Sequence, residues 1–276
     1  MARKDFIERS IRGALSFFKE AIFADETAGL PGLLQSLDPR IKIVTVLLCL
    51  SLVLFSRSIE VLGCLYLLSI LLAVASRIRL GFFLKRTWVF IPLFSLLIAI
   101  PALFSFVSPG EPLVSAGAFH ITRHGIMSTG FFIGRVITSV SLVVLLSMTT
   151  RHFDLLKALR FFRIPQMFVM VLGICYRYIY LFVEIVENTH RAIRSRIGSR
   201  LHYRRGQRVV AWNIAHLWMR SYALNEQVYN AMVSRGFRGE PVAIDHYEIK
   251  LRDWLWLLAT AVGSLMLAYV ESRTRI

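Results

Sequence analysis

Long hydrophobic stretches alternate with short basic segments through most of the chain. A transmembrane helix needs about 20 predominantly apolar residues, with a lower limit of about 17. Five stretches are predicted to cross a membrane: residues 41–56, 59–76, 88–108, 126–149 and 254–270. Pro92 and Pro101 lie in the third stretch, where neighbouring helices can satisfy the carbonyl groups that proline leaves free. The pattern therefore predicts an all-α polytopic membrane protein with about five transmembrane helices.

The positions of lysine and arginine predict which side of the membrane each connection occupies, because cytoplasmic segments are enriched in both residues. The first 20 residues carry Arg3, Lys4, Arg9, Arg12 and Lys19, and the connection between the second and third stretches carries Arg77, Arg79, Lys85 and Arg86. The connection at 109–124 carries Arg123 as its single basic residue apart from histidine. The N-terminus is therefore predicted to be cytoplasmic and the 109–124 connection external.

A sixth apolar run, residues 166–186, is predicted to stay on the cytoplasmic side. If this run crossed the membrane, residues 187–253 would be external, although they contain 11 arginines and one lysine. We therefore expect residues 1–40 to form a cytoplasmic segment and 150–253 a cytoplasmic domain. The first four transmembrane helices would occupy 41–149, and 254–276 would hold the last helix and an external C-terminus.

The cytoplasmic insert is predicted to contain three helices, near 151–162, 165–197 and 208–235. Ile164–Pro165 favours a break after the first helix, because the residue before proline avoids the helical conformation. Seven residues of the third helix recur at alternating spacings of four and three, which is typical of a helix–helix seam. They are Val210, Ile214, Leu217, Ser221, Leu224, Val228 and Ala231.

Both long helices of the insert are predicted to end in arginine close to glycine. A helix C-terminus carries partial negative charge, which favours a nearby cation, and the arginine guanidinium suits carboxylate partners. The pattern has two interpretations: the ends bind two equivalent sockets on a partner, or these residues only terminate the helices. The candidate residues are Arg194, Ser195, Arg196, Gly198, Ser234, Arg235 and Gly236.

The formal net charge of +16 raises the question of nucleic-acid binding. The basic segment "HYRRGQR" (202–208) is explained by a cytoplasmic loop, and no aromatic platform accompanies it. The three cysteines form no CxxC pair, and His120 and His124 have no third ligand nearby in the sequence. We therefore predict no nucleic-acid partner, no metal site and no cofactor.

Five stretches of this chain resemble the T component, the transmembrane scaffold, of energy-coupling factor transporters of the cobalt/nickel CbiQ type. They are "LDPRIKIV" (37–44), "MTTRHFDLLKALRFFRIP" (148–165), "YRYIYLFVEIVE" (176–187), "RAIRSRIG" (191–198) and "NEQVYNAMVSRGFRGE" (225–240). The last resembles the family's second Ala-Arg-Gly motif, with Ser234 in place of alanine. The first motif is less regular, because Ile197 separates Arg196 from Gly198, so that either Arg194 or Arg196 could be its arginine. We favour Arg196.

The resemblance implies a subunit that is not an enzyme. Its two coupling helices would dock into grooves on two ATP-binding-cassette ATPases, and its membrane part would hold a substrate-binding S component. The chain lacks a GxxxxGK[ST] motif, so ATP hydrolysis is expected on the partner subunits. Cobalt or nickel ion would be the substrate of the S component, with a vitamin-type S component as the alternative.

Three ionisable residues within apolar segments are candidates for structural or coupling roles: Arg135, Arg177 and Glu184. Arg177 and Glu184, seven residues apart on one helix face, are interpreted as packing contacts between helices. A membrane enzyme is a less favoured alternative, since no GxSxG or HExxH motif is present. A stand-alone carrier is also less favoured, because the predicted spans are poor in acidic residues.

The predicted topology can be tested by labelling introduced cysteines in a background in which Cys49, Cys64 and Cys175 are replaced by alanine. A membrane-impermeant maleimide should label Ile276→Cys in intact cells and label Tyr203→Cys after the cells are opened. Labelling of position 203 in intact cells would contradict the five-helix topology.

Overall fold

The computed structural model describes residues 28–29, 32–88, 95, 98–99, 112–116, 119–197, 203–239 and 250–274. The helices are α1 (Pro39–Phe55), α2 (Ile59–Ala75), α3 (Leu80–Trp88), α4 (Arg123–Thr149), α5 (His152–Ala158), α6 (Gln166–Ile197), α7 (Tyr203–Ser234) and α8 (Leu251–Thr274). Strands β1 (Pro112–Ala116) and β2 (Phe119–Thr122) lie between α3 and α4. The all-α polytopic prediction is confirmed, with this hairpin as an addition.

The described residues divide into two compact units. We call residues 153–197 and 203–239 the insert unit, because they interrupt the other unit in the sequence. The remainder, which includes α1 to α4 and α8, is called the bundle unit.

Several helix boundaries differ from the predicted ones. The α7 helix begins at Tyr203, so that "HYRRGQR" lies mainly in its first turns and is not a loop. The predicted break after the first insert helix is present, since a 3₁₀ turn (Leu159–Phe162) is followed by Arg163 with φ of 60°. The third predicted membrane stretch, 88–108, lies largely outside the described residues. The α3 helix precedes this stretch, and the Trp88 indole donates to the Tyr66 hydroxyl on α2 at 2.8 Å.

The connection at 109–124 includes a β-hairpin that the hydrophobic pattern did not predict. The two strands are antiparallel, with Val114 opposite Ile121 and Ala116 opposite Phe119. The register shifts between Pro112 and Val114, as it does where one strand carries an extra residue.

Three described segments are long and apolar enough to cross a membrane: Gly125–Thr149, Gln166–Thr189 and Leu251–Arg273. Ile59–Ala75 is a shorter apolar helix. The segment in α6 thus meets the length requirement, although the basic residues after it argue against a crossing. Its length and composition alone do not decide its position.

The core of the bundle unit lies where α2 packs against α4. Leu65 of α2 and Leu142 of α4 belong to one buried cluster, and Phe83 and Met148 belong to a second. A buried polar contact accompanies them, because the hydroxyl oxygens of Ser69 and Ser141 lie 3.0 Å apart, within hydrogen-bond distance. In lipid, close packing and such interhelical bonds replace the hydrophobic effect as the forces that hold helices together.

Hydrogen bonds at both ends of α1 establish the direction of its neighbours. The Asp38 amide, just before α1, donates to Asp253 near the start of α8 at 3.2 Å. The Arg57 amide, just after α1, donates to Glu271 near the end of α8 at 2.6 Å. The two helices therefore run parallel.

The α4 helix runs the opposite way. Lys42, in the first turn of α1, donates to the carbonyl of Thr149, the last residue of α4, at 3.0 Å. The chain therefore leaves the bundle unit shortly after α4 and returns to it shortly before α8, at the same end of the bundle.

The Ser69–Ser141 bond can be measured by a double-mutant cycle with Ser69→Ala and Ser141→Ala. We expect a coupling free energy of about 0.6 kcal/mol, the average for hydrogen bonds between membrane helices. Reversible unfolding of the four proteins in detergent micelles measures this coupling. A coupling of zero would contradict a direct bond between the two hydroxyls.

Candidate functional site

The end of α7 is closed by a Schellman motif. The Gly236 amide donates to the Val233 carbonyl at 2.9 Å, and the Phe237 amide donates to the Met232 carbonyl at 3.0 Å. Gly236 has φ of 84°, a left-handed conformation that other residues adopt only at a cost. Arg235 is the last residue before this glycine, so its side chain starts from a backbone position that the motif holds.

The two arginine-ended helices share a local geometry. The Ser234 hydroxyl donates to the Ala231 carbonyl at 3.1 Å, and the Ser195 hydroxyl donates to the Ala192 carbonyl at 2.9 Å. In both helices an arginine follows the serine directly, which aligns Arg196 with Arg235. Gly198 lies outside the described residues, and the Arg194 side chain is not among those described.

Both aligned arginines are exposed. Within the described part of the chain, neither makes an ion pair, whereas Arg191 binds Glu187 one turn earlier in α6 at 2.8 Å. An exposed guanidinium at a helix C-terminus can bind a carboxylate of another molecule, and the partial charge of the helix end keeps the cation in place.

Large apolar side chains lie exposed on both long helices of the insert unit. On α7, Trp212, Trp218 and Tyr222 are 75%, 77% and 72% exposed. On α6, Phe168 and Val171 are also exposed. Large uncovered apolar patches are typical of surfaces that bind another protein or a membrane.

The predicted α7 seam is only partly correct. Val210, Leu217, Leu224 and Val228 are half-buried, while Ile214, Ser221 and Ala231 are exposed. The two long helices do contact each other. The exposed members show that this contact covers a narrower face of α7 than the heptad-like spacing predicted.

The family model described as the cobalt transport protein CbiQ matches residues 32–244. The chain belongs to the CbiQ family. The match extends over both units, from the residues before α1 to beyond the Schellman motif of α7.

Individual relatives agree with this assignment. An uncharacterized protein of Methanocaldococcus jannaschii is 31% identical over 267 residues, which cover 96% of this chain and 91% of the relative. The energy-coupling factor transporter transmembrane protein EcfT of Streptococcus thermophilus is 25% identical over 256 residues, 87% of this chain and 94% of that protein. EcfT of Lacticaseibacillus paracasei is 24% identical over 234 residues, 79% of this chain and 87% of that protein. This CbiQ-family chain is thus a membrane-embedded T component of an energy-coupling factor transporter.

In this T component, Arg135 holds the C-terminal end of α1. Its Nη2 donates to the Ser56 carbonyl at 2.7 Å, and its guanidinium lies 4.9 Å from the centre of the Phe131 ring. The Ser56 carbonyl is one of the groups that a helix end leaves without an internal partner. Arg135 therefore has a structural contact in the bundle unit.

Arg177 and Glu184 are both exposed on α6, without an ion pair in the described part of the chain. The expected packing of these two side chains against other helices is not seen. Tyr176 and Tyr180 instead bind each other through their hydroxyl groups, with the rings at 86° and their centroids 5.1 Å apart. Arg177 and Glu184 stay candidates for contact with a partner.

No group of three His, Cys, Asp or Glu residues that could bind a metal occurs among the described residues. The side chains of His120 and His124 are not among those described.

The sequence reasoning missed a group of buried charged residues at one end of the bundle unit: Asp38, Lys42 and Asp253. Asp38–Pro39 carries a recognisable signal, because aspartate favours the N-cap and proline the first helical position. No local signal connects this pair with Asp253, which is distant in the sequence.

Replacing Arg135 tests its role at the end of α1. We expect Arg135→Leu to lower the free energy of unfolding by about 1.5–3 kcal/mol, the contribution of a hydrogen bond to a charged group. Arg57→Leu removes an exposed arginine at the same end and should change stability by less than about 0.5 kcal/mol. Detergent-solubilised protein unfolded by denaturant provides the measurement, and equal effects of the two changes would contradict the assignment.

Proposed function

We propose that this T component couples ATP hydrolysis on two cassette ATPases to an S component that binds cobalt or nickel ion. The observation that carries this proposal is the pair of matched helix ends, Ser195–Arg196 and Ser234–Arg235, on one insert unit. Because Arg196 and Arg235 are similar exposed cations, each could bind the same kind of acidic groove on one of two ATPase subunits. The family description favours a metal substrate, while the names of the EcfT relatives mention none, so a vitamin-type S component remains the alternative.

The geometry of the bundle unit supports a cytoplasmic insert. Because the chain leaves and returns at the same end of this unit, the insert must cross the membrane an even number of times or not at all. The α7 helix is not among the segments long and apolar enough to cross, so α6 has no partner for a return crossing among the described helices. If α6 lies on the cytoplasmic side, the insert does not cross the membrane and needs no return helix. The arginines that follow α6 then also stay on the cytoplasmic side.

The exposed apolar faces of α6 and α7 support a role inside a complex. Aromatic and methionine side chains such as Trp218, Met219 and Tyr222 are enriched in the centres of protein interfaces. We propose that this surface is covered in the transporter by the S component and membrane lipid, while the arginine ends bind the ATPases.

The T component purified alone should neither bind nor hydrolyse ATP, because its sequence contains no GxxxxGK[ST] motif for binding the phosphates. ATPase assays and nucleotide-binding titrations on a preparation free of cassette subunits test this expectation. Hydrolysis that purifies with this chain alone would favour a membrane enzyme instead.

Charge reversal at Arg235 tests the docking role directly. Loss of one partner of a desolvated charge pair costs about 2–5 kcal/mol, compared with about 0–1 kcal/mol for an exposed pair. Arg235→Glu should therefore reduce ATPase copurification and ATP-driven uptake, while membrane insertion is unchanged. Arg196→Glu combined with Arg235→Glu should release the ATPases more completely than either single change.

The matched control is Arg220→Glu, an exposed arginine within the same helix α7. It should retain the ATPases, and so should the same change at Arg204 or Arg205. If Arg235→Glu transports normally, or if all these arginines respond alike, the docking role is wrong and Arg235 only terminates a helix.

A further inference from the structure

Three helix ends meet at one buried point of the bundle unit: the start of α1, the start of α8 and the end of α4. Three charged side chains lie there, and Asp38, Lys42 and Asp253 are only 7%, 3% and 3% exposed. We call this point the root, because the chain enters the insert unit shortly after the end of α4 and returns shortly before the start of α8.

The two carboxylates of the root hold helix starts. Asp38 accepts from the Arg40 amide at 2.8 Å and caps α1. Asp253 accepts from the Lys250 amide at 3.0 Å and from the Asp38 amide at 3.2 Å, so one carboxylate binds the start of α8 and the residue before α1. Negative groups at helix N-termini are favoured by the helix dipole, which lowers the cost of burying them.

Lys42 provides the opposite charge at the remaining helix end. Its ammonium donates to the Thr149 carbonyl at 3.0 Å and to the Thr150 hydroxyl at 3.2 Å. These acceptors stand at the negative end of α4, where a cation is favoured. The charges of the root thus match all three helix ends, and α1 is bound to both α4 and α8.

Ordinary capping does not require a buried lysine. A helix C-terminus is usually closed by glycine or by water, and a buried charge is costly unless every donor is satisfied. What Lys42 adds is a connection between helices that are distant in the sequence, since it lies 107 residues from Thr149. Arg252 reinforces the separate connection between α8 and the segment before α1, because its guanidinium binds the Ser36 hydroxyl close to the bond between Asp253 and Asp38.

We propose that Lys42 is a positioning residue for energy coupling: with Asp38 and Asp253 it joins the end of α4 to the start of α8, the two described points at which the chain passes between the bundle unit and the insert unit. Among the described residues, movement of the arginine-ended helices can reach the bundle unit along the chain through the end of α4 and the start of α8. If these two points are held together, they move as one body and displace α1 with them. If Lys42 is replaced, the end of α4 can move without displacing α1, so that ATP is still hydrolysed but the movement does not reach the rest of the bundle unit. This inference rests on the proposed function.

The first test uses the complete transporter, purified with its own ATPases and S component and reconstituted in liposomes. For Lys42→Met we expect normal ATPase copurification and continued ATP hydrolysis, but about a tenfold lower ratio of cobalt-ion uptake to ATP hydrolysed, within the range of coupling between distant sites. Lys85→Met, the same change at an exposed lysine of α3, should keep the wild-type ratio. A wild-type ratio in Lys42→Met would overturn the proposal, as would uptake and ATPase copurification that fall in equal proportion.

The second test does not depend on the substrate or on the proposed function. Hydrogen exchange in the full chain should accelerate in Lys42→Met both at 147–151 and at 250–254, because the root joins these segments. Acceleration at 147–151 alone would overturn the proposal and leave Lys42 as a local cap of α4. If Lys42→Met does not accumulate, Thr150→Val, which removes one acceptor, should give a smaller effect at both segments, and no effect at 250–254 would again overturn it.

A wild-type transporter without ATP-driven cobalt uptake would count against the proposed function and not against the root. The hydrogen-exchange pattern of Lys42→Met would then show by itself whether Lys42 joins the end of α4 to the start of α8. The two ideas can therefore fail separately.

Discussion

The bundle unit depends on the constraint that polar groups within a membrane protein need partners inside the protein. The α1 helix meets this requirement at its two ends through side chains of α8: Asp253 binds the amide before the helix, and Glu271 binds the amide after it. Asp253 and Glu271 lie 18 positions apart in one helix, which matches the length of α1. Because Asp253 binds at the start of α1 and Glu271 at its end, the two helices run parallel. This pairing sets the direction of α8. Together with the Lys42–Thr149 bond at the end of α4, it also gives the common end at which the insert leaves and returns.

The insert unit follows a different physical rule. Its two 32-residue helices contact each other but leave large aromatic side chains exposed on α7 and an apolar run on α6. A soluble domain would cover such side chains with its own core. The uncovered surface, together with membership of the CbiQ family, is consistent with a subunit whose structure is completed by other subunits and by lipid.

The arginine ends connect these two features. The Schellman motif at Gly236 holds the backbone at the end of α7, while the side chain of Arg235 remains exposed. Such a terminus combines a defined backbone with a cation at the negative helix end. Lys42 makes a similar interaction inside the bundle unit, because its buried ammonium binds the negative C-terminal end of α4. In the proposed transporter, one cation at a helix end would receive movement from the ATPases, and the other would pass it on.

The membrane class and most of the helices could be predicted from the amino-acid sequence, and so could the arginines close to the ends of α6 and α7. These properties depend on local composition: apolar length, a proline break near Pro165, and glycine at a left-handed position. The hairpin at 112–122 and the narrow contact of α7 were not predicted, because strand pairing and helix contact depend on neighbours that periodicity does not identify. The proximity of Asp38, Lys42 and Asp253 could be seen only in the folded chain. Their bonds join residues 107 and 215 positions apart, and no local pattern records a contact between helix ends so distant in the chain.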